Sequence, residues 1–97
     1  MILVVNLDLY GPATAYDPLY NALKKQGVWW HYMRWTWLVE TNITPDQMVE
    51  TLKPFKIKAE DRILVLRLTQ PYQGLLTKEE WDWINTRMSP SHQKTGT

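Results

Sequence analysis

An aromatic segment near the middle of the chain limits the folds that this sequence can adopt. Residues 27–41 read GVWWHYMRWTWLVET and hold four of the six tryptophans. Aromatic and β-branched side chains at this density favour strands over a surface helix. The segment breaks near Met33 and Arg34, which predicts two paired strands or one bent strand. The sequence therefore predicts a sheet with a large aromatic surface.

Two further runs predict strands on either side of this segment. Residues 1–9 read MILVVNLDL and residues 62–69 read RILVLRLT. Both runs are mostly apolar and rich in β-branched residues, as is typical of a strand buried on both faces. We therefore expect the first strand to be buried on both faces and the 62–69 strand to be a central strand of the sheet.

Helix starts are marked by capping patterns. Asp17 and Pro18 predict an N-cap followed by the first helical residue, and Gly27 is expected to end this helix in the left-handed conformation. The sequences TPDQ at 44–47 and TKEE at 77–80 are capping boxes, which predict the starts of two more helices.

The order of these elements predicts the fold class. Strand, helix, strand, strand, helix and strand form a ferredoxin-like βαββαβ unit of the α+β class, to which a C-terminal helix is added. Right-handed crossovers place the two main helices on one face of a four-stranded antiparallel sheet. We expect a single domain over residues 1–88, with residues 89–97 as a flexible tail that has no apolar anchor.

The second face of the sheet needs a cover because its strands are apolar on both sides. Trp35, Trp37 and Val39 are predicted to point to one face, and their neighbours to the other. Two covers are available: the C-terminal helix with Trp81 and Trp83, or a second copy of the chain. The large number of tryptophans favours a homodimer.

Composition excludes several classes of function. The net charge of +1 gives no overall field toward nucleic acid or membrane. Without cysteine there are no disulfides, thiolate metal sites or thiol nucleophiles. The apolar run 2–5 is too short for a signal peptide or membrane span, so we expect a cytoplasmic protein. Glu60 and Asp61, interspersed with lysines, are expected on a solvated surface.

Five segments carry a resemblance to a known family. They are VNLDL at 5–9, YDPLY at 16–20, GVWWHY at 27–32, TWLV at 36–39 and WDWI at 81–84. With these motifs the chain resembles the short bacterial and phage proteins described as SinR-like. Those proteins are regarded as relatives of the small ferredoxin-fold nuclease subunit of the CRISPR spacer-acquisition complex.

The resemblance implies a homodimer with a divalent-metal site. In the nuclease relatives an aspartate at the end of the first strand of each subunit flanks the metal, and Asp8 occupies the matching position here. It implies a catalytic and metal-binding role for Asp8, with Mg²⁺ or Mn²⁺. Leu7 and Trp35 depart from the family pattern, which makes the site less polar. The alternative is that Asp8 accepts backbone hydrogen bonds in the following turn.

Other side chains in the aromatic segment have two interpretations each. His31 is a candidate catalytic base or metal ligand, or else a hydrogen-bonded structural residue. Trp30, Tyr32 and Trp35 are candidates for stacking on a base, with Arg34 binding a phosphate. The alternative is that these rings form the core and the dimer interface.

Three functional hypotheses follow. The first is a nucleic-acid-associated adaptor or weak metal-dependent nuclease, as the resemblance implies. The second is a nonenzymatic module that binds or sequesters a small nucleotide in defence or anti-defence. The third is a protein-interaction module whose exposed tryptophans bind a partner.

Overall fold

The computed structural model describes residues 1–88, which form four strands and three α-helices. The strands are β1 (Ile2–Asp8), β2 (Val28–Met33), β3 (Thr36–Glu40) and β4 (Arg62–Arg67). The helices are α1 (Asp17–Lys24), α2 (Pro45–Leu52) and α3 (Lys78–Met88). The predicted flexible tail lies outside the described residues. Within residues 1–88, no helix is long and apolar enough to cross a membrane.

The sheet confirms the predicted ferredoxin-like arrangement of the α+β class. Its strand order is β2-β3-β1-β4, and all neighbouring strands are antiparallel. Val5 of β1 lies opposite Trp37 on one side and Val65 on the other. β1 is therefore a central strand, whereas β4 lies at the edge of the sheet, so the prediction of a central position for the 62–69 strand was wrong. The pairing of β2 with β3 shifts register between Trp30 and Met33.

One face of the sheet packs against α1 and α2 and forms the main core. Alternate side chains of β1 and β3 point to this face, as predicted for Trp37 and Val39. Each buried leucine or valine stabilises the fold by about 2 kcal/mol. The buried members are Leu3, Val5, Leu7, Tyr16, Leu19, Leu23, Trp37, Val39, Met48 and Leu52.

Helix α3 covers only part of the opposite face. The buried side chains there are Ile2, Trp30, Leu38 and Ile84. On the β4 side of the same face, Leu64 is 63% exposed and Leu66 is 44% exposed. The C-terminal helix is therefore one cover of this face, and the β4 side is uncovered within residues 1–88. The homodimer stays a prediction.

Both predicted capping boxes are confirmed. The backbone N–H of Gln47 donates to Oγ1 of Thr44 (3.2 Å), and the N–H of Thr44 donates to Oε1 of Gln47 (2.9 Å). Thr77 and Glu80 exchange the same two hydrogen bonds, at 2.9 and 3.2 Å. Each box satisfies two backbone donors that the first helical turn would otherwise leave without a partner.

Two predictions about the ends of α1 were wrong. Asp17 is the first residue of α1, and its N-cap is Tyr16, because a 3-10 turn leads directly into the helix. Gly27 does not have a positive φ. Its small size is needed for another reason: a Cβ there would overlap the carbonyl oxygen of Glu40.

Candidate ligand-binding site

A cavity of about 380 Å³ opens beside the turn that joins β2 to β3. It lies between this turn, the start of α1 and the segment after β1. Its volume is in the range of small-molecule sites, about 300–1,000 Å³. The lining residues are Leu9, Gly11, Ala13, Tyr16, Tyr20, Arg34 and Trp35. The lining is aromatic, with one cationic side chain and no acidic one. Such a lining suits a flat, anionic ligand.

Backbone hydrogen bonds hold the turn that carries Arg34 and Trp35. The N–H of Leu7 donates to the carbonyl oxygen of Trp35 (2.8 Å). Nε2 of His31 lies 3.1 Å from the carbonyl oxygen of Arg34, which is a hydrogen bond in the tautomer that has its N–H at Nε2. Trp35 is 47% exposed. Within residues 1–88, no carboxylate forms an ion pair with Arg34. The guanidinium can therefore bind an anion beside an accessible indole face.

A stack of rings lies next to the cavity on the helical face of the sheet. The His31 ring is nearly parallel to buried Trp37, with centroids 3.9 Å apart. Tyr20 stacks on Trp37 at 5.6 Å, and Trp29 contacts it at 5.4 Å. Aromatic pairs of this kind contribute about 0.5–1.5 kcal/mol each beyond burial. His31 is thus held by ring packing and by its hydrogen bond to the turn.

A buried carboxylate fixes the loop that forms one wall of the cavity. Asp61 is 3% exposed and accepts a hydrogen bond from the Tyr16 hydroxyl (2.6 Å). It also accepts from the backbone N–H groups of Tyr10 (2.8 Å), Ile57 (3.1 Å) and Lys58 (3.0 Å). Burial raises the pKa of Asp61, but these hydrogen bonds outweigh burial and hold the pKa well below its ordinary value. The expectation that Asp61 is solvated was wrong.

Asp8 and His31 lie on opposite faces of the sheet. Leu7 points into the helix-side core, so the next side chain points away from it. Asp8 accepts a hydrogen bond from the Tyr10 hydroxyl (3.0 Å) and lies opposite Arg62 in the strand register. No group of three or more potential metal ligands converges among residues 1–88. His31 therefore cannot join Asp8 in holding Mg²⁺ or Mn²⁺ within one chain, because the two side chains lie on opposite faces of the sheet.

The four residues predicted to bind a ligand fall into two separate pairs. Arg34 and Trp35 line the cavity. Trp30 is 2% exposed in the cluster under α3, so its ring faces are not accessible. Tyr32 packs edge-on against Trp30 at 5.1 Å, and its hydroxyl donates to Oε1 of Glu79 (3.3 Å). The register shift in β2 separates the pairs.

Tyr16 and Tyr20 line the cavity but are not among the residues that the sequence indicated as ligand-binding candidates. Their spacing of four residues places both rings on one side of the helix start. This spacing is the sequence signal that could have indicated a shared site. The same spacing is equally typical of core residues, so it does not identify a ligand site by itself.

Comparison of the chain with protein-family models, with curated proteins and with solved structures gave no match. The resemblance to SinR-like proteins therefore rests on the sequence motifs given above.

Proposed function

We propose that this protein is a nonenzymatic module that binds a nucleotide in the cavity beside the β2–β3 turn. The observation that supports this best is that Arg34 has no carboxylate partner among residues 1–88 and lies next to exposed Trp35. A base stacked on an aromatic ring contributes about 1–3 kcal/mol. A guanidinium binds a phosphate through two parallel hydrogen bonds. The ligand is an aromatic base joined to phosphate, either as a free nucleotide or as the terminal nucleotide of a nucleic-acid strand.

The lining of the cavity favours binding over catalysis. It contains no carboxylate, and exposed Asp8 lies on the opposite face of the sheet. Nε2 of His31 is engaged with the carbonyl oxygen of Arg34. Binding without turnover is the property needed to sequester a signalling nucleotide, in host defence or in its inhibition.

We expect a nucleotide to raise the melting temperature of the protein more than the matching nucleoside does. A ligand present at 100 times its Kd stabilises a protein by about 2.7 kcal/mol. Trp35→Ala is expected to weaken binding of both compounds about tenfold, because the stacking surface is lost. Arg34→Gln should weaken binding of the nucleotide but not of the nucleoside, because only the nucleotide carries a phosphate. Thermal melts with four ribonucleoside monophosphates, their nucleosides and short single strands provide the measurement.

Arg67→Gln is the matched control, since it removes an arginine near the other end of β1, where Leu3 is its register partner. If only the oligonucleotides raised the melting temperature, the ligand would be the end of a nucleic-acid strand and not a free nucleotide. No shift with any compound at saturating concentration would contradict the proposal. Cleavage of a strand with added Mg²⁺, lost in Asp8→Ala, would replace the nonenzymatic module by the nuclease hypothesis.

The uncovered part of the sheet supports a second proposal, that the protein works as a homodimeric adaptor. Leu64 and Leu66 are exposed on one face of β4, and the outer edge of β4 has no neighbouring strand among residues 1–88. Exposed apolar side chains on a free edge strand favour pairing with another chain. Asp8 belongs to the same face, so a two-fold contact would place two carboxylates at one interface. That is the arrangement the resemblance implies for a metal site.

We expect Leu64→Lys to raise the dissociation constant of this homodimer at least about tenfold, because a charge would be buried in an apolar contact. Sedimentation velocity over a concentration series measures the change. Leu75→Lys is the matched control, since Leu75 is fully exposed outside the sheet. A wild-type protein that stays monomeric at all concentrations would refute the dimer.

A further inference from the structure

A second cavity, of about 500 Å³, lies between α3 and the segment that follows β4. Its lining residues are Gln70, Pro71, Tyr72, Gln73, Trp81 and Asn85, and none of them lines the first cavity. All of these side chains are uncharged. Lys78 and Asp82 of the same helix are paired with each other at 2.8 Å. The lining therefore contains no charge that would select a phosphate or a carboxylate, and it fits a neutral ligand.

Two aromatic rings form the apolar part of this cavity. Tyr72 and Trp81 are nearly parallel, with an interplanar angle of 18° and centroids 6.4 Å apart. Both rings are half-buried and pack against the cluster under α3, so their orientations are held by the core. Rings fixed in this way lose little conformational entropy when a ligand binds. With Pro71 they form a rigid apolar surface.

Carboxamides form the polar part of the same cavity. Asn85 follows Trp81 by one helical turn and lies on the same side of α3. Gln70 and Asn85 are exposed, and neither side chain makes a hydrogen bond within residues 1–88. Oε1 of Gln73 accepts from the N–H of Gly74 (3.0 Å), which leaves the NH₂ group of Gln73 to donate. Each carboxamide supplies two N–H donors and one acceptor oxygen. The cavity therefore presents donors from three carboxamides beside aromatic rings, and acceptor oxygens from Gln70 and Asn85.

We infer that this cavity binds a proline-rich peptide in the polyproline II conformation. Such a segment has no internal hydrogen bonds, and its prolines carry no N–H, so its backbone offers mainly carbonyl acceptors. Carboxamide donors match these acceptors. Proline rings pack on aromatic surfaces, and the extended conformation exists before binding, which lowers the entropic cost. A neutral oligosaccharide is the competing ligand, because its hydroxyls can pair with both the N–H groups and the oxygens of the carboxamides.

The test is a titration of ¹⁵N-labelled protein with a ten-residue polyproline peptide, followed by NMR. We expect saturable shifts of the Trp81 indole N–H and of the Asn85 side-chain amide. A glycine-serine peptide of equal length should cause none. No shift with polyproline at millimolar concentration would overturn the inference. Shifts with maltotriose but not with polyproline would also overturn it, in favour of a sugar site.

Two variants connect the binding to this cavity. Tyr72→Ala is expected to weaken polyproline binding about tenfold, since it removes one of the two rings. Because Tyr72 also contacts the core, exposed Asn85→Ala provides an independent variant, with an expected loss of about fivefold. Trp35→Ala should leave the peptide affinity unchanged, which separates this inference from the nucleotide proposal. Unchanged affinity in both cavity variants would place the peptide elsewhere and overturn the inference.

Discussion

Asp61→Ala is expected to lower the free energy of unfolding by about 3 kcal/mol. The change leaves the Tyr16 hydroxyl and three backbone N–H groups without their acceptor in a buried position. Hydrogen bonds to a charged acceptor contribute about 1.5–3 kcal/mol, but bonds that share one carboxylate do not add fully. Urea unfolding followed by circular dichroism should show a lower midpoint with an unchanged m value.

Two further variants define the origin of this effect. Tyr16→Phe removes one donor to Asp61 and should lower the free energy of unfolding by about 1 kcal/mol. Asp82→Ala removes an exposed carboxylate paired with Lys78 and should change it by less than about 0.5 kcal/mol. If Asp61→Ala were as mild as Asp82→Ala, the buried network would not stabilise the fold as described.

Lowering the pH should reduce the free energy of unfolding of the wild-type protein more than that of the Asp61→Asn variant. The pKa of Asp61 is lower in the folded protein than its ordinary value of about 3.9. The stabilisation from this carboxylate is therefore complete above about pH 5, and it is lost as the pH falls through about 4 toward the folded pKa. Free energies of unfolding at pH 7, 5 and 3 test this. If the free energy of unfolding fell equally with pH in both proteins, Asp61 would not be the cause of the acid dependence.

Gly27→Ala is the second substitution with a large expected effect, a loss of about 3 kcal/mol or more. The added methyl group would overlap the carbonyl oxygen of Glu40 and lie 2.9 Å from its carbonyl carbon. Relief requires the backbone to move, and the adjacent Val28 pairs with Glu40 in the β2–β3 ladder. Thermal and urea unfolding of the variant measure the loss.

Gly74→Ala is the matched control for this substitution. No atom lies within 4 Å of a Cβ built on Gly74. The free energy of unfolding should therefore change by less than about 0.5 kcal/mol. Equal losses for both variants would show that the contact with Glu40 is not the cause of the Gly27 effect.

The fold was predictable because local signals agree with one another. The capping boxes at Thr44 and Thr77 mark helix starts that the structure confirms. The alternation of Trp37, Leu38 and Val39 places the right side chains on each face. The ends of α1 were less predictable, because a 3-10 turn and a close backbone contact depend on tertiary packing rather than on local sequence.

The candidate site was only partly predictable. Arg34 and Trp35 stand out in the sequence, but the register shift in β2 separates them from Trp30 and Tyr32. A two-residue alternation cannot predict such a shift. Asp61 lies in the charged sequence KAED, which is typical of an exposed turn. Its burial depends on donors supplied by Tyr10 and Tyr16, distant in the chain, and no local pattern indicates that contact.

The bond between Tyr16 and Asp61 joins positions 45 residues apart. One wall of the cavity beside the β2–β3 turn is therefore set by the segment that leads into the last strand. During synthesis, a nascent chain that ends before Asp61 already contains every residue that lines this cavity but lacks the contact that shapes its wall. The wall of the proposed site can thus take its final shape only once the segment that leads into β4 has been made.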